Sequence, residues 1–189
     1  KIYPCKKSRK EIQALGKKST VWNEYLFPQE LCPIQKHYEK AEVDLNTNWR
    51  FRTQWDEKVS FVDGRKGKQT FEVGKDFADF LVWRKDGFAS YELATVVDDH
   101  LMEISEIVRG EDLLVSSARQ CVLFDGLNWA HPQFYHCELV LDQKGRKEGM
   151  VVEILQRRFS EIVGRFYKEK SFFVSFFMAL IISFPVGTF

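Results

Sequence analysis

Apolar and polar positions alternate along some stretches of this chain and recur at helical spacing along others, and the two periods divide it into elements. Trp49-Arg50-Phe51-Arg52 alternates aromatic with basic residues, which predicts a strand with Trp49 and Phe51 on one face and Arg50 and Arg52 on the other, a solvated edge. Residues 58–62 and 69–73 predict two more strands, joined as a hairpin by the Gly-rich basic turn 63–68. The aromatic and β-branched run 77–84 closes on the turn pair Asp86-Gly87 and predicts a strand. Residues 91–97 are densely apolar, and periodicity leaves helix and strand both open. Residues 104–108 predict a strand, and Ser116 or Ser117 then predicts the N-cap of a helix carrying Val122, Leu123, Phe124 and Leu127, weakened by Gly126 and Asn128. A further strand is expected over 134–141, before a turn at 142–145. Strand, helix, strand at these spacings is the βαβ arrangement of a parallel sheet.

The flanks are patterned differently. Ser8 with Glu11 makes a capping box, so a short helix with Ile12 and Leu15 facing inward is expected. Pro28 and Pro33 break the region up to Arg52 into a connecting module, with one short helical piece over 38–42. Near the other end Ile154, Leu155, Phe159, Ile162 and Val163 form one apolar stripe at helical spacing, and 171–189 is uncharged and rich in Phe, Ile and Val.

Composition narrows the class. With 189 residues, 44% hydrophobic and 29% charged, the chain can bury one core and a small satellite, which excludes disorder for most of it. Its 28 Lys+Arg against 27 Asp+Glu leave a net charge of +1, so no global positive field points to a nucleic acid. An RNA contact would come from local patches such as Arg50 with Arg52, or Arg65 to Lys68. The four cysteines are too few and too scattered for a disulfide scaffold, which favours a reducing, cytoplasmic compartment or a metal site. The first residue is Lys1 and no apolar leader follows it, so the chain is expected to begin mid-protein.

Charge concentrates in two places where apolar runs end: Val96-Val97-Asp98-Asp99-His100 and Ile107-Val108-Arg109-Gly110-Glu111-Asp112. Open α/β sheets carry their chemistry where strands end. The plainer alternative is that Asp98 and Asp99 terminate an element and Arg109 pairs with one of them on the surface.

Taken together with Asp76 to Arg84, Asp86-Gly87, Ser90-Tyr91-Glu92-Leu93-Ala94 and Arg119-Gln120, these runs resemble the second half of the catalytic domain of class I glutamyl-tRNA synthetases, most closely the short glutamyl-queuosine tRNA(Asp) synthetases. The order and spacing carry the resemblance, which covers residues 3–147. It implies an α/β fold: the second half of a class I synthetase Rossmann-like domain at 76–147, preceded at 1–75 by a small α+β insertion module resembling a degenerate zinc-binding or acceptor-stem region. An unrelated hydrophobic tail would occupy 148–189.

The resemblance also implies a chemistry. An amino acid and ATP, with magnesium, are joined as an aminoacyl adenylate, and the aminoacyl group passes to tRNA. Tyr91 and Arg109 match the positions that orient glutamate, a task suited to a guanidinium because bidentate bonding gives direction as well as energy. Gly110, Glu111 and Asp112 would meet the nucleotide ribose or the substrate amine, and Asp98, Asp99 and His100 are further candidates for the site. Lys147 matches the first lysine of the pyrophosphate-holding loop, but Glu148-Gly149-Met150 follows in place of the rest. The His-Ile-Gly-His-like motif is not in the sequence, so the chain by itself is expected to be inactive. In the family's zinc insertion Cys5 stands at the first ligand position and Cys32 at a distant one, while Lys7 occupies the place of a second thiolate; no zinc site is expected. Two other readings stay open: a non-catalytic tRNA-binding remnant, and a tail-anchored protein in which 171–189 enters a membrane. The abrupt loss of the family pattern at Glu148 favours translation of a shifted or mispredicted reading frame for the tail.

Overall fold

Two small sheets share one apolar core in the computed structural model, which describes residues 1–34 and 43–139. In chain order the elements are β1 (Ile2–Cys5), α1 (Arg9–Leu15), β2 (Asn48–Phe51), β3 (Lys58–Asp63), β4 (Gly67–Glu72), β5 (Phe80–Trp83), α2 (Tyr91–Leu101), β6 (Glu106–Gly110), α3 (Leu114–Leu127) and β7 (Gln133–Cys137). The expected piece at 38–42, the end of the strand expected over 134–141, its following turn, Lys147 and the tail 148–189 all lie outside the described residues.

The first sheet is antiparallel with order β1-β2-β5. Trp49 and Phe51 face the core as the alternation requires, at 2% and 6% exposure. The expected solvated edge is corrected: β2 is the central strand, and its arginines turn to local partners. Arg50 lies 4.3 Å over the Phe27 ring and donates to the Asp79 carbonyl at 2.9 Å; Arg52 lies 4.9 Å over Tyr3 and donates to the Pro33 carbonyl at 2.8 Å. Helix α1 has its capping box, with Ser8 Oγ accepting from Glu11 N and Ser8 N donating to the Glu11 carboxylate. Ile12 is buried, but Leu15 is 63% exposed, a second correction: the helix ends there, with Gly16 bonding back to Ile12, and only one turn reaches the core.

The second sheet has order β4-β3-β7-β6. The expected hairpin is β3–β4, and the expected βαβ unit is β6–α3–β7, with β6 and β7 parallel from Glu106↔Gln133 to Gly110↔Cys137. The hairpin docks through β3 parallel to β7 at Asp63↔Phe134, so the sheet is mixed rather than wholly parallel. Gly64 permits this docking: its N–H donates to the Phe134 carbonyl at 2.8 Å, and a Cβ there would stand 2.8 Å from the Tyr135 ring. Strand pairing crosses residue 75 in both sheets, and Phe51, Phe61, Phe77, Val96, Phe124 and Phe134 belong to one cluster.

Two ambiguities are settled by caps. Residues 91–97 are helical, because Ser90 Oγ accepts from Leu93 N and starts α2. Ser116 and Ser117 do not cap α3: a single 3-10 turn, Glu111–Leu113, leads into the helix at Leu114, and both serines are buried inside it. Asn128, in the left-handed region at φ 60°, ends it. Among the described residues no helix is long and apolar enough to cross a membrane.

Candidate functional site

The register of β6 on β7 places Arg109 directly beside His136, and the docking of the hairpin brings Asp63 to the other side of that imidazole. A continuous polar chain results. Asp63 Oδ2 lies 2.6 Å from His136 Nδ1; His136 Nε2 lies 2.8 Å from Ser117 Oγ and accepts from Arg109 Nε at 3.3 Å. Arg109 Nη2 donates to Ser117 Oγ and, at 2.7 Å, to Gln120 Oε1. Gln120 Nε2 donates to Glu92 at 3.1 Å, Ser116 Oγ donates to the same carboxylate at 3.0 Å, and Arg119 approaches it at 3.8 Å. All of these side chains are buried.

Burial is affordable here because the polar atoms find one another. Asp63 Oδ1 accepts from the backbone N–H groups of Arg65 and Lys66, and Oδ2 from the backbone and ring of His136. Burial opposes ionisation of Asp63, yet these hydrogen bonds outweigh it and hold its pKa below the ordinary carboxylate value. Burial and then the neighbouring Arg109 charge hold the His136 pKa down against the pull of Asp63, so the ring is neutral. Desolvation likewise lowers Arg109, opposed by Tyr91, Glu92 and Asp99. Glu92 is raised to about 7 and Asp99 to about 6, in both cases by burial first.

The residues singled out in the sequence are distributed around this chain. Tyr91 begins α2, is 36% exposed, and interacts electrostatically with the buried Arg109 guanidinium. It also lines a cleft of about 250 Å³, together with Glu92, Arg50 and Arg119; Arg109 is not on that wall. Asp98, Asp99 and His100 occupy the last turn of α2, so the element they end is a helix, one of the two forms the periodicity left open. Asp99 is buried with Oδ2 unpartnered, and His100 stacks on Trp129 at 3.8 Å. The surface pairing of Arg109 with either aspartate is also corrected, since Arg109 is 7% exposed and its hydrogen bonds run to His136, Ser117 and Gln120. Gly110 ends β6, and Glu111 and Asp112 form the 3-10 turn. The Glu111 carboxylate is taken by Arg65 at 3.0 Å and Lys66 at 2.6 Å. Lys147 lies outside the described residues. His136, Asp63, Ser117 and Gln120 were not among the sequence candidates. Only the period-2 burial of β7, which turns His136 inward between apolar neighbours, could have flagged the histidine.

Cys5 is buried in a small apolar cluster, and Cys32 packs against it. Cys32 donates to Asp79 Oδ2 at 3.1 Å, and the same oxygen accepts from the Tyr3 hydroxyl at 2.7 Å, while Thr53 donates to Oδ1 through both N and Oγ1. Burial, then the Asp79 charge, push the Cys32 thiol up to about 12. Lys7 pairs outward with Glu11 at 3.2 Å. Tetrahedral zinc needs four good ligands, and with Lys7 in the place of a thiolate and turned to Glu11 this donor set does not supply them. Metal analysis of the dialysed chain should therefore give well under one equivalent of zinc; tight stoichiometric zinc that survives dialysis would show that other residues complete a site.

The family described as tRNA synthetases class I (E and Q), catalytic domain, matches residues 2–152. The chain belongs to this family. Its α/β architecture, with the β6–α3–β7 unit in a mixed sheet, resembles the Rossmann-like fold of a class I synthetase catalytic domain with an insertion. The chain is 28% identical over 162 residues to the glutamate–tRNA ligase of Listeria welshimeri, covering 82% of this chain and 33% of that protein. It is 35% identical over 148 residues to the glutamyl-Q tRNA(Asp) synthetase of Neisseria gonorrhoeae, covering 77% and 48%. A glutamate-tRNA synthetase structure from Elizabethkingia anophelis overlays with a TM-score of 0.49 at 28% identity, over 59% of this chain and 22% of that one. The chain thus spans about a third to a half of the length of these curated relatives.

Proposed function

We propose that this chain is the glutamate-selecting part of an ATP-dependent ligase that charges tRNA, with Arg109 and Tyr91 orienting the amino acid. The observation that carries this reading is the fixation of one guanidinium. Nε and Nη2 of Arg109 are committed to His136, Ser117 and Gln120, and none of those bonds uses Nη1. A carboxylate meeting Nη1 and the Tyr91 phenol would bind a group already held in place, so little ordering entropy is lost on binding. ATP would be the co-substrate. Of the 110–112 turn, Glu111 is engaged by Arg65 and Lys66, and the turn as a whole, Gly110 to Asp112, would meet the nucleotide or the substrate amine, while Lys147 would serve the phosphates. Relatives of both kinds, glutamate–tRNA ligases and glutamyl-Q tRNA(Asp) synthetases, resemble the chain, so tRNA(Glu) and the queuosine of tRNA(Asp) both fit as acceptor. A purely tRNA-binding role loses support from Arg50 and Arg52, whose guanidinium groups turn to Phe27, Tyr3 and backbone carbonyls.

A titration of the chain with L-glutamate, followed through the arginine side-chain N–H signals, tests this. A charge-assisted bond of roughly 1.5–3 kcal/mol supports weak binding, so saturation is expected only at millimolar glutamate, with Tyr91→Phe weaker and acetate inert. Equal responses to glutamate and acetate would remove the assignment. Exchange of pyrophosphate into ATP is expected to be undetectable for the chain alone and to appear when the first half of a relative's catalytic domain is supplied.

A further inference from the structure

We infer that Asp63 and His136 are positioning residues for Arg109: the hairpin β3–β4 orients the guanidinium through the imidazole and so sets the geometry of the carboxylate site from a strand pair remote in sequence. Its functional consequence rests on the proposed role of Arg109, but the relay itself does not.

The argument is one of donor and acceptor matching. Asp63 holds two backbone N–H groups on Oδ1 and a third on Oδ2, so the carboxylate cannot rotate without releasing all three. Its Oδ2 is therefore a fixed acceptor 2.6 Å from His136 Nδ1, and that nitrogen must carry the proton. The opposite nitrogen, Nε2, is then a bare acceptor, which is what Arg109 Nε and the Ser117 hydroxyl need. The reverse tautomer would set N–H against N–H at Arg109. Ser117 adds a second tie, because its Oγ accepts from Arg109 Nη2 while its own proton goes to His136 or to the Leu113 carbonyl at 3.1 Å. The ring is walled by Phe61 and Phe134, whose centroids lie 6.1 Å from its own. With Ser, His and Asp aligned this way the trio has the order of a hydrolytic triad, but Ser117 and His136 are each 0% exposed and no substrate carbonyl can reach the hydroxyl. What the trio can do is transmit orientation. Arg109 also lies 5.1 Å over the Phe134 ring, so its plane is held on one face as well as along its edge.

Asp63→Asn is the discriminating change. One oxygen becomes an NH2, which must face either the backbone donors at the turn or the protonated Nδ1. The imidazole is then driven toward its other tautomer, and Arg109 loses its Nε acceptor. The measurement is the ring nitrogen spectrum of His136 and the Arg109 Nε–H signal at pH 7 in the full chain, with glutamate titrations alongside. The wild-type chain is expected to show the Nδ1-protonated tautomer and a slowly exchanging Arg109 Nε–H. Asp63→Asn should shift the tautomer, speed that exchange, and weaken glutamate binding about tenfold. Ser117→Ala should keep the tautomer and loosen Arg109 alone. An Nε2-protonated ring in the wild-type chain would overturn the relay. So would an unchanged Arg109 signal in a folded Asp63→Asn chain. Should Asp63→Asn not fold, the wild-type tautomer and Ser117→Ala decide the matter by themselves. If the tautomer and exchange results appear but glutamate leaves Arg109 unmoved in the wild-type chain, the relay stands and the glutamate assignment falls.

Discussion

Arg109→Ala should lower the unfolding free energy by roughly 3–5 kcal/mol, the range for removing one partner from a buried charged set. Few single substitutions in a marginally stable domain reach that size. The cause is what remains. His136 Nε2 and Gln120 Oε1 lose their donor in a site without solvent, and Glu92 and Asp99 lose the positive charge that holds their pKa values down. The loss has a pH signature, because both carboxyl groups are ionised at pH 8 and largely neutral at pH 5. Urea unfolding should therefore show a larger deficit at pH 8. Arg109→Lys keeps the charge but cannot reach His136, Ser117 and Gln120 together, and should fall in between. A deficit below about 1 kcal/mol for Arg109→Ala at pH 8 would mean that the chain of bonds adds nothing net to stability.

The residues of this network explain which parts of the fold could be read in advance. The capping box at Ser8 and Glu11 is local, as are the alternation at Trp49 to Arg52 and the βαβ spacing, and all three appear in the structure. Ser116 and Ser117 were misread for the same reason. A serine ahead of an apolar helical stretch looks like a cap, but their hydroxyls are bonded to Glu92 and His136, which local pattern does not reveal. Asp63 was legible by half. Its Oδ1 does the ordinary work of a turn aspartate at Arg65 and Lys66, and Oδ2 reaches across the sheet to a residue 73 positions away. Tyr91 was marked by resemblance alone and Arg109 by resemblance together with the charge at the end of its apolar run, and the structure adds how Arg109 is fixed. Asp98 and Asp99 carried a charge signal whose setting local pattern left undecided, because the period of the apolar run before them fits helix and strand alike.

Glu92→Gln should make the chain more stable above neutral pH and change little in acid, by a linkage argument that follows from burial. Glu92 is 7% exposed, and desolvation raises its pKa from 4.5 to about 7 despite bonds from Ser116 and Gln120. A carboxyl group whose folded pKa is raised holds its proton more tightly in the folded chain than in the unfolded one. Its contribution is fully present below the unfolded value and is lost as pH rises through the folded value. The wild-type chain should thus lose about 3 kcal/mol relative to Glu92→Gln between pH 4.5 and pH 7, at 1.36 kcal/mol per unit. Glutamine can stand in because its oxygen still accepts from Gln120, and its NH2 can donate to Ser116 Oγ. Asp99, raised to about 6, also titrates over this range, but it does so in both chains and cancels in the difference. The comparison therefore isolates one group, and its sign is the informative part. Should the wild-type chain be the more stable at pH 8, the approach of Arg119 at 3.8 Å is worth more than the cost of burying the charge, and Glu92 belongs to an ion pair rather than to a neutral hydrogen-bonded relay.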